Sequence, residues 1–174
     1  MLRGFTDADR DAFAAMNADP RVTEHLPTAL TRAESDAFVD RMMATWAGRG
    51  LGLWALEHRD SGAFLGYTGL WPVPDALPIQ TLDKTPAEVG WRLAFEAWGQ
   101  GYATEAGGEA LRFGFETGLS EVVSFTSVHN IRSRAVMERL GMTREPADDF
   151  EHPALPVGDP LRRHVLYRKR RPLA

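Results

Sequence analysis

Ala103, Gly107, Ala110 and Gly114 fall at offsets 0, 4, 7 and 11, the spacing of one helix face, and that face carries only the smallest side chains. Glycine inside a helix costs about 1 kcal/mol against alanine. A helix holding Gly107, Gly108 and Gly114 therefore needs compensation, which close packing against a sheet or a bound ligand provides. Immediately before it stands FEAWGQGYATEA, residues 95–106, which sets two glycines directly against the helix start. The first N–H groups of a helix have no internal partner, and the helix dipole puts partial positive charge there. Glycine lets backbone approach a ligand with no Cβ in the way. The stretch reads either as a tight structural turn or as a cradle for an anion.

The rest of the chain surrounds this helix with short elements. Thr6 is placed to cap a first helix containing Phe13 and Met16, which must end before Pro20. Thr31-Arg32-Ala33-Glu34 is a capping box, and its helix carries Phe38, Met42 and Trp46 on one face before stopping over Gly48 to Gly52. Leu51 to Glu57 and Gly62 to Trp71 read as strands joined by a turn at Arg59-Asp60-Ser61-Gly62. A proline-punctuated loop of about 15 residues follows, long enough to have a function. Strands are expected over Glu88–Leu93, Val122–Ser127 and His164–Arg168, and a helix capped by Asn130 and closed by Gly141. Helices, then antiparallel strands, then β-α-β-α-β, make a mixed α/β (α+β) domain.

A length of 174 residues fits a single domain, 1–174, with one sizeable core. The N-terminus is charged where a signal peptide needs an apolar run, and no stretch of about 18 apolar residues occurs, so a cytoplasmic protein without a membrane span is expected. With no cysteine there is no disulfide, thiolate zinc site or cysteine nucleophile. The net charge of −4 is uneven. Removing Arg162, Arg163, Arg168, Lys169, Arg170 and Arg171 from the 20 basic residues leaves 14 against 24 acids, a net −10. Such an acidic body argues against nucleic-acid binding. The basic end reads as a solvated edge strand, with an RNA or acidic-partner contact as the alternative. The five histidines lack the spacing of a zinc hydrolase, so no metal is expected. Trp46, Trp54, Trp71 and Trp91 are of the kind that usually fills a core.

Three phosphate-binding patterns can be set against the glycine loop. A P-loop ends in Gly-Lys-Ser/Thr, and Gly101-Tyr102-Ala103 has no lysine. A Rossmann fingerprint would read Gly99-x-Gly101-x-x-Thr104 with Glu121 on the ribose, but Thr104 stands where the third glycine belongs and the motif lies mid-chain. Trp98-Gly99-Gln100-Gly101-Tyr102-Ala103 instead resembles the Gln/Arg-x-x-Gly-x-Gly/Ala signature of the GCN5-related N-acetyltransferase (GNAT) superfamily. Trp98 departs from the usual first residue. With Glu88-Val89-Gly90-Trp91-Arg92-Leu93 before it and Asn130-Ile131-Arg132-Ser133-Arg134-Ala135-Val136-Met137-Glu138-Arg139-Leu140-Gly141-Met142 after it, the string is similar to the ribosomal-protein N-terminal acetyltransferase (RimJ/RimL-like) branch.

This resemblance implies the GNAT fold: a mixed central sheet with a splayed parallel strand pair and flanking helices. It implies transfer of an acetyl group from acetyl-CoA to a primary amine, on a protein N-terminus or a small molecule, by direct attack in a ternary complex. Gln100, Gly101, Tyr102, Ala103 and Thr104 are then the pyrophosphate cradle. Trp91, Arg92 and Leu93, with Asn130 and Ser133, border the pantetheine arm between the splayed strands, and the enzyme is a monomer or homodimer.

The chemistry needs a base for the amine, because an α-amino group with a pKa near ~8 is mostly ammonium at neutral pH. Glu88, at the start of the strand bordering the thioester, is the candidate, acting through water; a structural ion pair is its alternative. Backbone N–H groups near Arg92 or Leu93 can serve the oxyanion. Many superfamily members carry a tyrosine as thiol donor where this chain has Met137, so Ser133 takes that role as hydrogen-bond partner of the sulfur, or merely satisfies local backbone. The resemblance also implies that His25, in the Val22–Thr31 segment between two helices that border the acceptor in this family, lines the acceptor site together with Glu88. Two other readings remain: an acyl-CoA-binding sensor that keeps the cradle without the chemistry, and an NAD(P)-dependent oxidoreductase.

Overall fold

The computed structural model describes residues 1–46 and 52–172. Its strands are β1 (Leu2–Arg3), β2 (Leu53–Glu57), β3 (Phe64–Pro72), β4 (Ala87–Leu93), β5 (Glu121–Ser127), β6 (Thr143–Arg144), β7 (Phe150–Glu151) and β8 (Arg163–Arg170). Its helices are α1 (Arg10–Ala18), α2 (Pro20–Thr23), α3 (Arg32–Trp46), α4 (Tyr102–Glu116) and α5 (Ile131–Arg139). The strands join in one sheet in the order β1-β2-β3-β4-β5-β8-β6, with β7 also on β8. Neighbours are antiparallel except β4 and β5. This is a mixed α/β arrangement with one parallel strand pair, as the resemblance implies. No helix among the described residues is long and apolar enough to cross a membrane.

The two sheet faces are filled differently. On one, α4 and α5 lie over Leu70, Val89, Val122 and Val165, with Ala110 and Met137 sealed between. The other face packs α1 and α3 against Leu53, Ala55 and Tyr67 through Phe13, Val39 and Met42. The stripe of small residues on α4 is what allows its close approach. A Cβ on Gly107 would lie 3.1 Å from Leu140 and 3.5 Å from Trp91, and one on Gly114 would lie 2.8 Å from Leu70. Packing side chains thus occupy the space that larger residues on α4 would need.

The local signals act as written, and one expectation differs, the place of the basic strand. Thr31 and Glu34 cap α3 reciprocally, Glu34 accepting from the Thr31 N–H at 2.8 Å and the Thr31 hydroxyl accepting from the Glu34 N–H at 3.3 Å. Thr6 forms a second capping box, with Asp9. Its N–H and hydroxyl donate to Asp9, at 2.8 and 3.1 Å, in a one-turn 3-10 helix that leads into α1. The basic C-terminal strand is internal, not an edge: β8 pairs with β5 on one side and with β6 and β7 on the other. Its charges are partnered, Arg168 with Asp148 at 2.6 Å and with Glu121 at 3.4 Å. The expected end of α3 over Gly48 to Gly52 and the strand start at Leu51 fall largely outside the described residues, as does the Trp46 side chain.

Candidate active site

β4 and β5 pair at Ala87–Val122 and Glu88–Val123 and at no later position, so the sheet forks there. A cavity of about 290 Å³ fills the fork. β4 contributes Glu88, Gly90, Trp91 and Arg92 to its wall, and β5 contributes Ser124, Phe125 and Thr126. Asn130 and Ser133 enter from the start of α5, Tyr67 and Trp71 from β3, and His25 from the segment after α2. A larger open groove of about 460 Å³ between α4 and the C-terminal strand holds none of these groups.

The fork therefore gathers six of the residues singled out from sequence: Glu88, Trp91, Arg92, Asn130, Ser133 and His25. Leu93 is not among them. It is 5% exposed and packs with Leu56, Ala97 and Ala106, because strand alternation turns it to the α4 side. Met137 is also away from the cavity, 1% exposed in the core beneath α5. Met137 has no proton to donate to a thiolate.

Gln100 to Thr104 form a separate corner at the start of α4. Gly101 is the residue before the helix, with φ +84°, and Gly99 has φ +75°, a region that disfavours side chains. A Cβ at either would meet nothing within 4 Å, so conformation, not crowding by protein, requires glycine at both. The Gly101 carbonyl accepts from Thr104 and Glu105, both at 3.0 Å. The N–H groups of Gly101, Tyr102 and Ala103 have no acceptor among the described residues. A glycine turn with three free donors at the positive end of a 15-residue helix fits a diphosphate. Trp98 ties this corner to the fork, its indole N–H donating to the Leu93 carbonyl at 2.9 Å. Gln100 is spent on local structure, donating to the Glu96 carbonyl at 2.8 Å.

Glu88 is the group the fork perturbs most. It has no hydrogen-bond or ion-pair partner among the described residues, and burial pushes its carboxyl up to about 8. Its structural alternative, an ion pair, is absent among them. Ser133 gives its backbone N–H to the Asn130 side chain at 3.1 Å, while its hydroxyl has no partner among the described residues. Asn130 is committed at both ends, its amide also donating to Thr126 at 3.1 Å. His25 lies 3.7 Å from Glu24, which in turn lies 3.7 Å from Arg132 of α5. Arg21 of α2 sits over the Phe95 ring at 3.7 Å. The segment carrying His25 is thereby fastened across the fork.

Two participants escaped the sequence. Tyr67 lies in the cavity wall, 7% exposed, its hydroxyl pKa raised by burial. Asn17, fully buried in α1, donates to the Phe13 carbonyl at 2.9 Å and accepts from the Arg92 guanidinium. A polar residue one turn beyond Phe13, on the apolar face of α1, was the available signal for Asn17. Tyr67 carried none beyond strand alternation.

Comparison with known proteins agrees with this geometry. A family model described as an acetyltransferase (GNAT) domain matches residues 1–143. FsC-acetyl coenzyme A-N(2)-transacetylase of Aspergillus fumigatus is 32% identical over 141 residues, 77% of this chain, and the chain spans 58% of that relative's length. A crystal structure of an acetyltransferase from Agrobacterium tumefaciens aligns at 28% identity with a TM-score of 0.75, covering 98% of this chain and 90% of that one. The ribosomal L7/L12 α-N-protein acetyltransferase RimL, solved with coenzyme A, has the same fold at 16% identity, with a TM-score of 0.76 and coverage of 97% and 92%. With a forked parallel pair, a glycine cradle at α4 and a family match over most of its length, the chain belongs to the GNAT acetyltransferase family.

Proposed function

We propose that the protein transfers an acetyl group from acetyl-CoA to a primary amine by direct attack within a ternary complex, and that it sits near the RimJ/RimL-like branch. The observation that carries this reading is the fork itself, where an unpartnered Glu88 and the free Ser133 hydroxyl face one cavity. The N–H groups of Gly101, Tyr102 and Ala103 hold the diphosphate. The open edge of β4 beyond Glu88 takes the pantetheine arm and offers backbone donors to the oxyanion. In its ionised form, which grows as pH rises toward about 8, Glu88 collects the amine proton through a water. The Ser133 hydroxyl hydrogen-bonds the departing sulfur, a thiol of pKa about 8.5.

Calorimetric titration with acetyl-CoA, with NAD and NADP as controls, tests the reading. Saturable binding of acetyl-CoA that is lost in Gly101→Glu supports it. Absence of that binding in folded protein overturns it, and binding of NAD in its place identifies a dinucleotide loop. Release of free thiol on adding amines then separates an enzyme from an acyl-CoA sensor.

A further inference from the structure

Arg92 is a charge without a counter-charge. It lies in the wall of the cavity, and among the described residues it makes no ion pair. Its recorded polar partner is the neutral amide of Asn17, and its guanidinium stands 5.7 Å from the Tyr67 ring. A half-buried guanidinium held by a neutral amide keeps donors for an incoming anion, and its planar fork suits a carboxylate. Glu88, four residues earlier, shares this face of β4 by strand alternation. Between them lies Gly90, where a Cβ would meet only Glu88 Oε1, at 3.9 Å. The floor of the acceptor side is therefore an open glycine flanked by an acid and a cation.

The geometry points to an acceptor that is a small amine bearing a carboxylate, its amine over Gly90 beside Glu88 and its carboxylate on Arg92. This rests on the acetyl-transfer reading above. The acceptor nitrogen forms a bond to the acetyl carbonyl carbon, the carbon–sulfur bond breaks, the amine proton passes to Glu88 through water, and the sulfur leaves as thiolate and is protonated to the free thiol. Asn17 acts as a positioning residue, fixing the guanidinium from the buried side of α1.

The test is thiol release with a series of amino acids whose amine and carboxylate stand one to five carbons apart, each beside its amide. The expected result is that at least one acid is preferred over its amide by about 10- to 100-fold in kcat/KM, as an ionic hydrogen-bonded contact gives. Arg92→Gln should erase that preference, the acid losing more than the amide and losing it through KM, and Arg92→Lys should restore part of it. Amides as good as acids, an Arg92→Gln loss equal for both, or no acid acetylated would each overturn the inference. Acetyl-CoA titration of the same samples keeps the two readings apart. Retained binding leaves the transferase reading standing when the acceptor inference fails, and lost binding removes both.

Discussion

Glu88 and Val123 form the last rung at which β4 and β5 pair, and the carboxyl of Glu88 stands where the sheet opens. A fork in a sheet leaves strand edges without partners, and this one has its most perturbed acid at the apex.

Glu88→Gln should separate activity from stability. Loss of a general base lowers kcat by roughly 10²-fold or more. The wild-type rate should climb with pH to a plateau above about 8, and the variant should lose that limb when both are measured with one acceptor. Stability moves the other way. The carboxyl titrates near 4.5 in the unfolded chain and about 8 in the fold, so between these values the folded state holds a proton that the unfolded state has released. Wild-type stability is greatest below that window and falls as pH rises through it. Urea midpoints at pH 9 should favour Glu88→Gln by roughly 2 to 4 kcal/mol, and should converge near pH 4.

The glycines of α4 should respond oppositely to alanine. At Gly108 the new Cβ would sit 3.8 Å from Leu140, an ordinary contact, so helix propensity wins and stability rises by about 0.5 to 1 kcal/mol. At Gly114 it would press to 2.8 Å on Leu70, which is fully buried, and overpacking of about 1 to 3 kcal/mol outweighs that gain. Denaturant titrations of the two variants should therefore shift in opposite directions.

Where local chemistry decides, the sequence was legible. The Thr31–Glu34 cap, the alternation from Glu88 to Leu93 and the glycines around Gln100 each specify a conformation within a few residues. Two-residue strands such as β1, β6 and β7 are too short to show a period, so they were invisible. The basic strand was misread as an edge because its partners are remote, Glu121 lying 47 residues before Arg168 and Asp148 lying 20 before. For the site, residue types named Glu88 and Ser133, but only the fold reveals that Arg92 is held by Asn17, 75 residues away.

Ser133→Ala should lower kcat about tenfold while leaving the helix intact, because the backbone N–H at 133 still donates to Asn130. The readout that isolates the hydroxyl is the leaving group. If it stabilises departing sulfur, the variant's deficit shrinks with an acyl thioester of a more acidic thiol. Equal deficits for both thioesters would assign the hydroxyl to local packing instead.

Arg168→Ala should be among the costlier changes on the basic strand. Its guanidinium meets Asp148 at 2.6 Å, the Gln80 carbonyl at 2.8 Å and Glu121 at 3.4 Å. Glu121 is only 2% exposed, so truncation leaves a buried carboxylate with the Leu82 N–H at 3.2 Å and the mostly exposed Arg170 at 3.5 Å. Breaking one side of a buried pair costs about 3 kcal/mol, and Arg170 offsets part of it, so a loss of about 2 kcal/mol is expected. Arg112→Ala is the control. Its pairs with Glu109 and Glu116 lie on the exposed side of α4, where ion pairs contribute little, and its midpoint should scarcely move. Equal losses in the two variants would mean that β8 is held by its ladder with β5 rather than by these charges. The larger loss at Arg168 would make the anchoring of Glu121 what fixes β8 against the β5 side of the fork.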